Sequence, residues 1–259
     1  MSTLSTESAI EFLDVGRERF DAVRAERIAD ASFPGYREVS LIIEGPVAPH
    51  PASMTLLDRL EAYKPIHTGF PPWSNLRRST EQAFHPYIVD DALEQLVVDD
   101  DPPDIDFWRI EPRGRFYQLT NLEDDAPGTQ TNPLKPGTEL DFMLQISRVA
   151  EVISVSLANA RALDVDDATT WLSLAFRWSG LRGRKLTSWV EPARWYVFAR
   201  RESPEDVCIT TASIPADFAP SAIPSPVSTI VAPLFALYDA SVPYQVIEAI
   251  CNRTLNRRM

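Results

Sequence analysis

The sequence predicts an α+β protein in which an antiparallel sheet packs on one long central helix, with flanking helices at both ends of the chain. Three observations predict this class. The elements do not alternate as βαβ units, two strands are joined by a tight Pro-Arg-Gly turn, and the most apolar helical segment lies between groups of strands. At 259 residues the chain is long enough to bury a core without disulfides or metals.

The first predicted element is an amphipathic helix. Ile10, Leu13 and Phe20 recur near helical spacing, and Ser8 with Glu11 has the spacing of a capping box. We therefore predict an N-terminal amphipathic helix within residues 1–30. Because no internal repeat or low-complexity tract divides the remainder, residues 31–259 are predicted to form a single α+β domain.

The central part of the chain carries strand and turn signals. Residues 38–44 are rich in β-branched side chains and end at Gly-Pro, which predicts a strand. Residues 54–63 are predicted as a short helix and residues 90–98 as a short helix or turn. The segments 106–111 and 115–120 flank Pro-Arg-Gly and predict a β-hairpin.

The longest predicted helix covers residues 139–163, and its apolar residues occupy nearly the whole circumference. Such a helix is typical of a central position with neighbours on several sides. The alternating segment 170–179 predicts a strand, after which a turn returns residues 184–189 antiparallel to it. The remaining elements are predicted as strands at 195–198 and 207–214, a helix at 226–238 kinked at Pro233, and a last helix that begins at Pro243.

Composition and charge limit the classes of function. The chain has 37 acidic and 25 basic residues and a formal net charge of −12, which disfavours nucleic-acid binding because that affinity comes largely from neutralising phosphates. Cys208 and Cys251 each lie in an apolar pattern and are predicted to be buried thiols. The N-terminal segment lacks signal-peptide features, and no apolar run reaches the roughly 18 residues that span a bilayer. The sequence therefore predicts a cytoplasmic protein.

Motifs that carry chemistry are absent from the sequence. There is no GxSxG nucleophile elbow, no GxxxxGK[ST] loop and no GxGxxG loop. His50, His67 and His85 lie in proline-rich segments without metal-ligand spacing, and exposed loop positions are expected for them. The acidic run at 99–104 lacks the spacing and glycine of an EF-hand and predicts a solvated loop. We therefore expect no metal, no cofactor and no catalysis.

One composition stands out in this acidic chain. Residues 177–189 gather four bases and two tryptophans, and the predicted hairpin has a similar make-up. Arginine and tryptophan together offer bidentate hydrogen bonds, a stacking face and the composition of interface hot spots. The predicted ligand- or partner-binding residues are Arg177, Trp178, Arg182, Arg184, Lys185, Trp189, Trp108, Arg109 and Arg115. The alternative is that a tryptophan is core and the arginines pair with the abundant acids, and composition alone favours neither.

Three segments, 35–45, 106–117 and 176–189, resemble one bacterial family. It is the C-terminal region of Schlafen/AlbA-type, helix-turn-helix regulators described as DNA-binding or ATP-binding, and the resemblance runs from about residue 10 to 256. In that family the nucleic-acid or nucleotide role belongs to an N-terminal Schlafen/AlbA domain, which this sequence is expected to lack. The resemblance implies an accessory sensor, effector or assembly domain that begins at the linking helix.

The expected function is a non-enzymatic sensor or protein-interaction domain of a bacterial regulatory or stress-response system. A protein partner or an upstream domain is expected, a small anionic or aromatic ligand is compatible with the Arg/Trp composition, and no membrane contact is expected. Two alternatives remain open. One is a nucleotide- or phosphometabolite-binding domain, enzymes included, that uses the same arginines. The other is a DNA-binding transcriptional regulator, which the charge of −12 disfavours.

Overall fold

The computed structural model describes residues 3–28, 33–68, 71–77, 79–100, 103–125, 135–166, 168–188 and 201–256. The helices are α1 (Thr3–Arg27), α2 (Met54–Tyr63), α3 (Phe142–Ala162), α4 (Pro224–Ala236) and α5 (Tyr244–Leu255). The strands are β1 (Tyr36–Glu44), β2 (Tyr87–Val89), β3 (Ala92–Asp100), β4 (Pro103–Glu111), β5 (Arg115–Asn121), β6 (Glu139–Asp141), β7 (Trp171–Ser179), β8 (Lys185–Thr187) and β9 (Val207–Pro215).

Seven of these strands form one antiparallel sheet in the order β2-β3-β4-β5-β1-β7-β9. The first strand of the chain is thus central, paired with β5 on one edge and with β7 on the other. The hairpin predicted around Pro-Arg-Gly is confirmed as β4 and β5, and Gly114 adopts the positive φ of 85° that its turn requires. The predicted α+β class with an antiparallel sheet is confirmed.

Helices cover both faces of the sheet, and the larger core lies on the face of α2, α3, α4 and α5. The central helix α3 packs against α2, α4 and α5 as well as contributing to the core over the sheet. Its apolar circumference is explained by these neighbours on several sides. The Asp141 carboxylate caps its N-terminus by accepting from the backbone N–H groups of Met143 and Leu144 at 2.7 and 3.0 Å.

The opposite face of the sheet is covered by α1 and forms a second core. Phe12, Leu13 and Phe20 of α1 pack there against Phe107 and other side chains of the central strands. Gly16 lies close to the sheet, because a Cβ added to it would lie 2.2 Å from the ring of Tyr117. The predicted N-terminal helix is confirmed as a helix, and the structure places it directly on the sheet.

Three local predictions were wrong. Of residues 90–98, predicted as a short helix or turn, Asp90 and Asp91 do form a turn, but residues 92–98 belong to β3. This strand was missed because both of its faces are covered, by Leu93 in one core and Leu96 in the other, and the alternation is hidden. Residues 139–141 are a strand that ends at the cap of α3. Residues 185–187 pair with β6 in parallel, since the 181–183 turn bonds to residues 203–206 rather than folding back on β7. Residues 195–198 lie outside the described residues.

Two further predictions concern burial and the membrane. Both cysteines are buried and unbonded, as predicted, and burial raises the pKa of the Cys208 thiol to about 11. Among the described residues, no helix combines the length and the apolarity needed to cross a bilayer.

Candidate functional site

The two described tryptophans of the predicted site are core residues. Trp108 and Trp178 have no exposed surface and lie in the larger core. The Trp178 indole N–H donates to Gln145 Oε1 at 2.9 Å, and the Trp108 indole N–H donates to the Ser74 carbonyl oxygen at 2.9 Å. Their rings fill space between the sheet and the helices, so neither is part of a contact surface in this structure. The prediction for these two residues was therefore wrong.

Arg184 is also fully buried, which its charge alone does not suggest. Its guanidinium makes a bidentate pair with Asp125, with Nη1–Oδ1 at 2.7 Å and Nη2–Oδ2 at 2.6 Å. Nε donates to the Gly180 carbonyl oxygen at 2.6 Å, and Nη1 donates to the Glu139 carbonyl oxygen at 3.0 Å. Arg184 thus ties the turn after β7 to the segment before α3. The prediction that it contacts a ligand or partner was wrong for the same physical reason: no face of it is exposed.

Arg177 and Arg109 lie on the sheet face beneath α1. Each contacts a carboxylate that has no exposed surface, Glu38 at 3.5 Å for Arg177 and Glu94 at 2.5 Å for Arg109. α1 supplies a second arginine to each carboxylate, with Arg17 on Glu38 and Arg19 on Glu94. These two predicted site residues therefore belong to the ion pairs that hold α1 on the sheet.

Three members of the predicted set are exposed, of which Arg182 and Lys185 lie at the same turn and Arg115 lies far from them. Arg182 donates to the Pro204 carbonyl oxygen at 2.5 Å, and Lys185 lies 3.5 Å from Glu202. Arg115 places its guanidinium 5.8 Å from the centre of the Phe12 ring, at the end of β1 opposite the 180–184 turn. Trp189 lies outside the described residues. The structure thus does not bring the described members of the predicted set together as one surface.

A cavity of about 510 Å³ lies elsewhere, between strands β3, β4 and β5, the helix α3 and the segment around residues 72–84. This volume falls within the usual range for small-molecule sites. Apolar side chains, Phe84, Val97 and Val152 among them, form part of its wall. The ionisable residues of the wall are Arg37, Asp104, Asp106, Glu123, Arg148 and Glu151.

Strand alternation places the polar side chains of the cavity on one face. Asp106 shares its face of β4 with Trp108, and Gln118 shares its face of β5 with Phe116, both of which belong to the larger core. Arg37 of β1 stands in register with Thr120 of β5, which also lines the cavity. The polar residues therefore lie on the same face of the sheet as the larger core. They are at one end of the strands, near the start of α3.

The loop that forms the outer wall is hydrogen-bonded to the sheet. Gln95 accepts from the Leu76 backbone N–H at 2.9 Å and donates to the Ser74 carbonyl oxygen at 3.1 Å. The Trp73 indole N–H donates to the Tyr117 carbonyl oxygen at 3.1 Å, from a backbone conformation with a φ of 55°. These bonds hold the outer wall of the cavity on the sheet.

A chain of charges crosses the cavity from β1 to α3. Glu123 lies 3.1 Å from Arg37 Nη1 and 2.5 Å from Arg148 Nε, and Arg148 Nη1 lies 2.9 Å from Glu151. Burial alone would raise the pKa of the Glu123 carboxyl, but the two guanidiniums outweigh it and lower that pKa to about 2. The fully buried Glu151 also accepts from the backbone N–H of Thr68 at 3.1 Å.

His67 lies beside this network and corrects an expectation. It is buried rather than exposed, and its Nε2 lies 3.0 Å from Ser154 Oγ of α3. The pair attaches the loop before residue 68 to the helix. Within the described part of the chain no cluster of His, Cys, Asp and Glu is arranged to hold a metal ion.

Asp106 differs from the other acids of the cavity. It is half-buried, and its described hydrogen bond comes from an amide, Gln118 Nε2 to Oδ1 at 2.8 Å. Burial raises the pKa of this carboxyl to about 6, against the Gln118 hydrogen bond, which lowers it; the Asp104 charge adds to the rise, and the Arg37 and Lys64 charges oppose it. A carboxyl that titrates near neutrality in a cavity marks a candidate functional group.

Sequence reasoning missed this site because it looked for motifs. The signal that could have found it is a polar residue on the core face of a strand, as Asp106 stands beside Trp108 and Gln118 beside Phe116. Comparison of the chain with family models and curated proteins, and of its fold with solved structures, finds no match. The resemblance to Schlafen/AlbA-type regulators stays a prediction, and function has to be argued from the site.

Proposed function

We propose that this chain is a non-enzymatic sensor domain of a bacterial regulatory system, whose ligand binds in the cavity between β3, β4, β5 and α3. The observation that carries the proposal is the cavity itself, about 510 Å³ with an apolar part and fixed polar groups. Its arginines are held in ion pairs, Arg37 with Glu123 and Arg148 with Glu123 and Glu151. These ion pairs hold the charged wall of the cavity in place, so its remaining polar groups can orient a ligand.

The strands that line the cavity also hold α1, which gives the proposed sensor an output. Successive side chains of a strand point to opposite faces. Arg37 lines the cavity while Glu38 pairs with α1, and Gln118 lines the cavity while the neighbouring Tyr117 donates to Glu38 at 2.8 Å. A ligand that shifts β1 or β5 would therefore change the contacts that hold α1 on the sheet.

This output agrees with the family that the sequence resembles, in which α1 would link to an upstream domain or to a partner protein. We propose that ligand binding is reported to that partner through α1, in the cytoplasm. A nucleic-acid role for the chain itself has no support from the cavity, where carboxyls outnumber guanidiniums.

A thermal-shift screen against a general library of small metabolites tests the proposal. A ligand at a hundred times its Kd stabilises the folded state by about 2.7 kcal/mol, which is readily measured. Val97→Phe narrows the cavity, and Val98→Phe is the matched control, because Val98 is the next residue on β3 and packs on the α1 side of the sheet. We expect compounds that stabilise the wild-type chain and the Val98→Phe variant but not the Val97→Phe variant.

Hydrogen exchange adds a readout of the output. A compound selected by the screen should change the exchange protection of α1 backbone amides, although α1 lies across the sheet from the cavity. Hits that stabilise the Val97→Phe variant equally would show that the cavity is not the ligand site. If ligand binding leaves the exchange protection of α1 unchanged, the proposed output through α1 is refuted, and the cavity remains the proposed ligand site.

A further inference from the structure

The charges of the cavity wall indicate the chemistry of its ligand. Two guanidiniums, of Arg37 and Arg148, face four carboxyls, of Asp104, Asp106, Glu123 and Glu151. The chain as a whole also carries a formal charge of −12. A concave, low-dielectric site with excess negative charge concentrates cations and repels anions.

The guanidiniums are already bound to groups of the protein, so they are poor sites for an added anion. Arg37 bonds to Glu123 at 3.1 Å and to Thr120 Oγ1 at 3.1 Å. Arg148 bonds to Glu123 at 2.5 Å and to Glu151 at 2.9 Å. A phosphate or carboxylate ligand would have to displace one of these carboxylates, and the displaced charge would remain in the cavity wall without its cation.

Asp106 has capacity left for a ligand. Its Oδ1 accepts from Gln118, and within the described residues Oδ2 accepts no hydrogen bond. The charged groups near it are Asp104, Arg37 and Lys64. Lys64 lies 2.8 Å from Glu61 and also donates to the Trp73 carbonyl oxygen, so its ammonium is engaged elsewhere. A positively charged group of a ligand would pair with the Asp106 carboxylate and favour its ionised form.

The rest of the wall suits an apolar body attached to that charge. Phe84 offers an aromatic face, and Val97 of β3 and Val152 of α3 add aliphatic surface to the same cavity. Aromatic and aliphatic contacts bury the carbon skeleton of a ligand, and a few fixed polar groups orient it.

We propose that the cavity binds a small amine, whose protonated nitrogen pairs with the Asp106 carboxylate while its apolar body packs on Phe84, Val97 and Val152. This inference rests on the proposed function, since it names the class of ligand that occupies the same cavity. Binding uses ionised Asp106, so acidification below about pH 6 weakens it, and the bound ammonium in turn favours the ionised carboxylate.

The test compares charge at constant shape. Phenethylamine, tryptamine and cyclohexylethylamine are each titrated by calorimetry against the full chain, beside the alcohol and the carboxylic acid of the same skeleton, at pH 7.5 and pH 5. We expect the amines to bind at least ten times more tightly than their alcohols and acids at pH 7.5, and to lose most of that advantage at pH 5.

Asp106→Asn should reduce amine affinity at least tenfold and abolish its pH dependence, while keeping an acceptor for Gln118. Asp217→Asn is the matched control, because Asp217 is exposed and follows β9 at the other edge of the sheet. The control should bind amines as the wild-type chain does. If Asp106→Asn does not fold, the pH profile of the wild-type chain decides by itself.

Two results would overturn the inference, and they are distinguishable. Ligands from the general library that are sensitive to Val97→Phe but are neutral or anionic would refute the amine and leave the cavity as the sensor site. Absence of any Val97-sensitive ligand, amines included, would refute the amine and the proposed function together.

Discussion

Truncation of Arg184 gives a sharp test of the structure, because an exposed contact arginine can be removed at little cost in stability and a buried, paired one cannot. The side chain is fully buried and bonded in a bidentate pair to Asp125, with two further bonds to the carbonyl oxygens of Gly180 and Glu139. Arg184→Ala leaves the Asp125 carboxylate buried without its cation. Removing one member of a buried pair costs about 3–5 kcal/mol of the free energy of unfolding.

For a chain of this size, about 1 kcal/mol corresponds to roughly 2–4 °C in Tm, so we expect Arg184→Ala to lower Tm by roughly 6–20 °C. The assay is thermal unfolding by circular dichroism, with urea titration to give the free energy. Arg182→Ala is the matched control, since Arg182 is exposed and makes one bond to the Pro204 carbonyl oxygen. Its free energy of unfolding should stay within about 0.5 kcal/mol of the wild-type value.

Replacing both members of the pair tests the cause. In the double variant Arg184→Met with Asp125→Leu, neither member of this pair leaves an unpaired buried charge, so we expect it to be more stable than Arg184→Met or Asp125→Leu alone. If Arg184→Ala is as stable as Arg182→Ala, the buried pair is refuted. Arg184 would then be available for the contact that the Arg/Trp composition predicted.

Three further predictions concern other parts of the fold. Gly16→Ala should destabilise the chain by about 1–3 kcal/mol in urea unfolding, despite the higher helix propensity of alanine, because the new Cβ meets the Tyr117 ring; a gain in stability would contradict this packing. Asp106→Asn should raise Tm at pH 7.5 and lose that gain towards pH 4. The pKa of the Asp106 carboxyl in the folded state, about 6, exceeds its ordinary value of 3.8, so ionisation of this carboxyl destabilises the fold as the pH rises. Glu123→Gln should lower Tm at pH 7 and have little effect on Tm near pH 2. The pKa of the Glu123 carboxyl in the folded state, about 2, lies below its ordinary value of 4.5, so the stabilisation by the ionised carboxylate is lost as the pH falls. Equal Tm values of the variant and the wild-type chain at pH 7 would refute the pairing with Arg37 and Arg148.

Parts of this fold could be predicted from the sequence because their determinants are local. The Pro-Arg-Gly turn at 112–114 specifies the β4–β5 hairpin with its positive-φ glycine. The nearly continuous apolar circumference at 142–162 specifies a helix that neighbours must cover on several sides. In both cases the residues that determine the turn or the helix are close together in the chain, so their spacing in the sequence indicates the element.

Local pattern was insufficient where an element has a core on both sides. β3 carries Leu93 towards α3 and Leu96 towards α1, so period-two alternation disappears and a strand resembles a short helix or turn. The composition of the Arg/Trp segments likewise left open whether their side chains face a partner or the core. Trp178 and Arg184 proved to be core because a helix and a distant carboxylate meet them in space.

The sequence by itself determined the class of the fold, most of its helices and strands, and the absence of familiar catalytic motifs. Only the tertiary structure placed Arg37 beside Glu123, which is 86 residues away, and closed a cavity between three strands and α3. The pKa of Asp106 and the spare acceptor on its carboxylate follow from that enclosure. Burial and charge contacts depend on which distant segments meet, and local patterns of residues along the chain do not indicate where they meet.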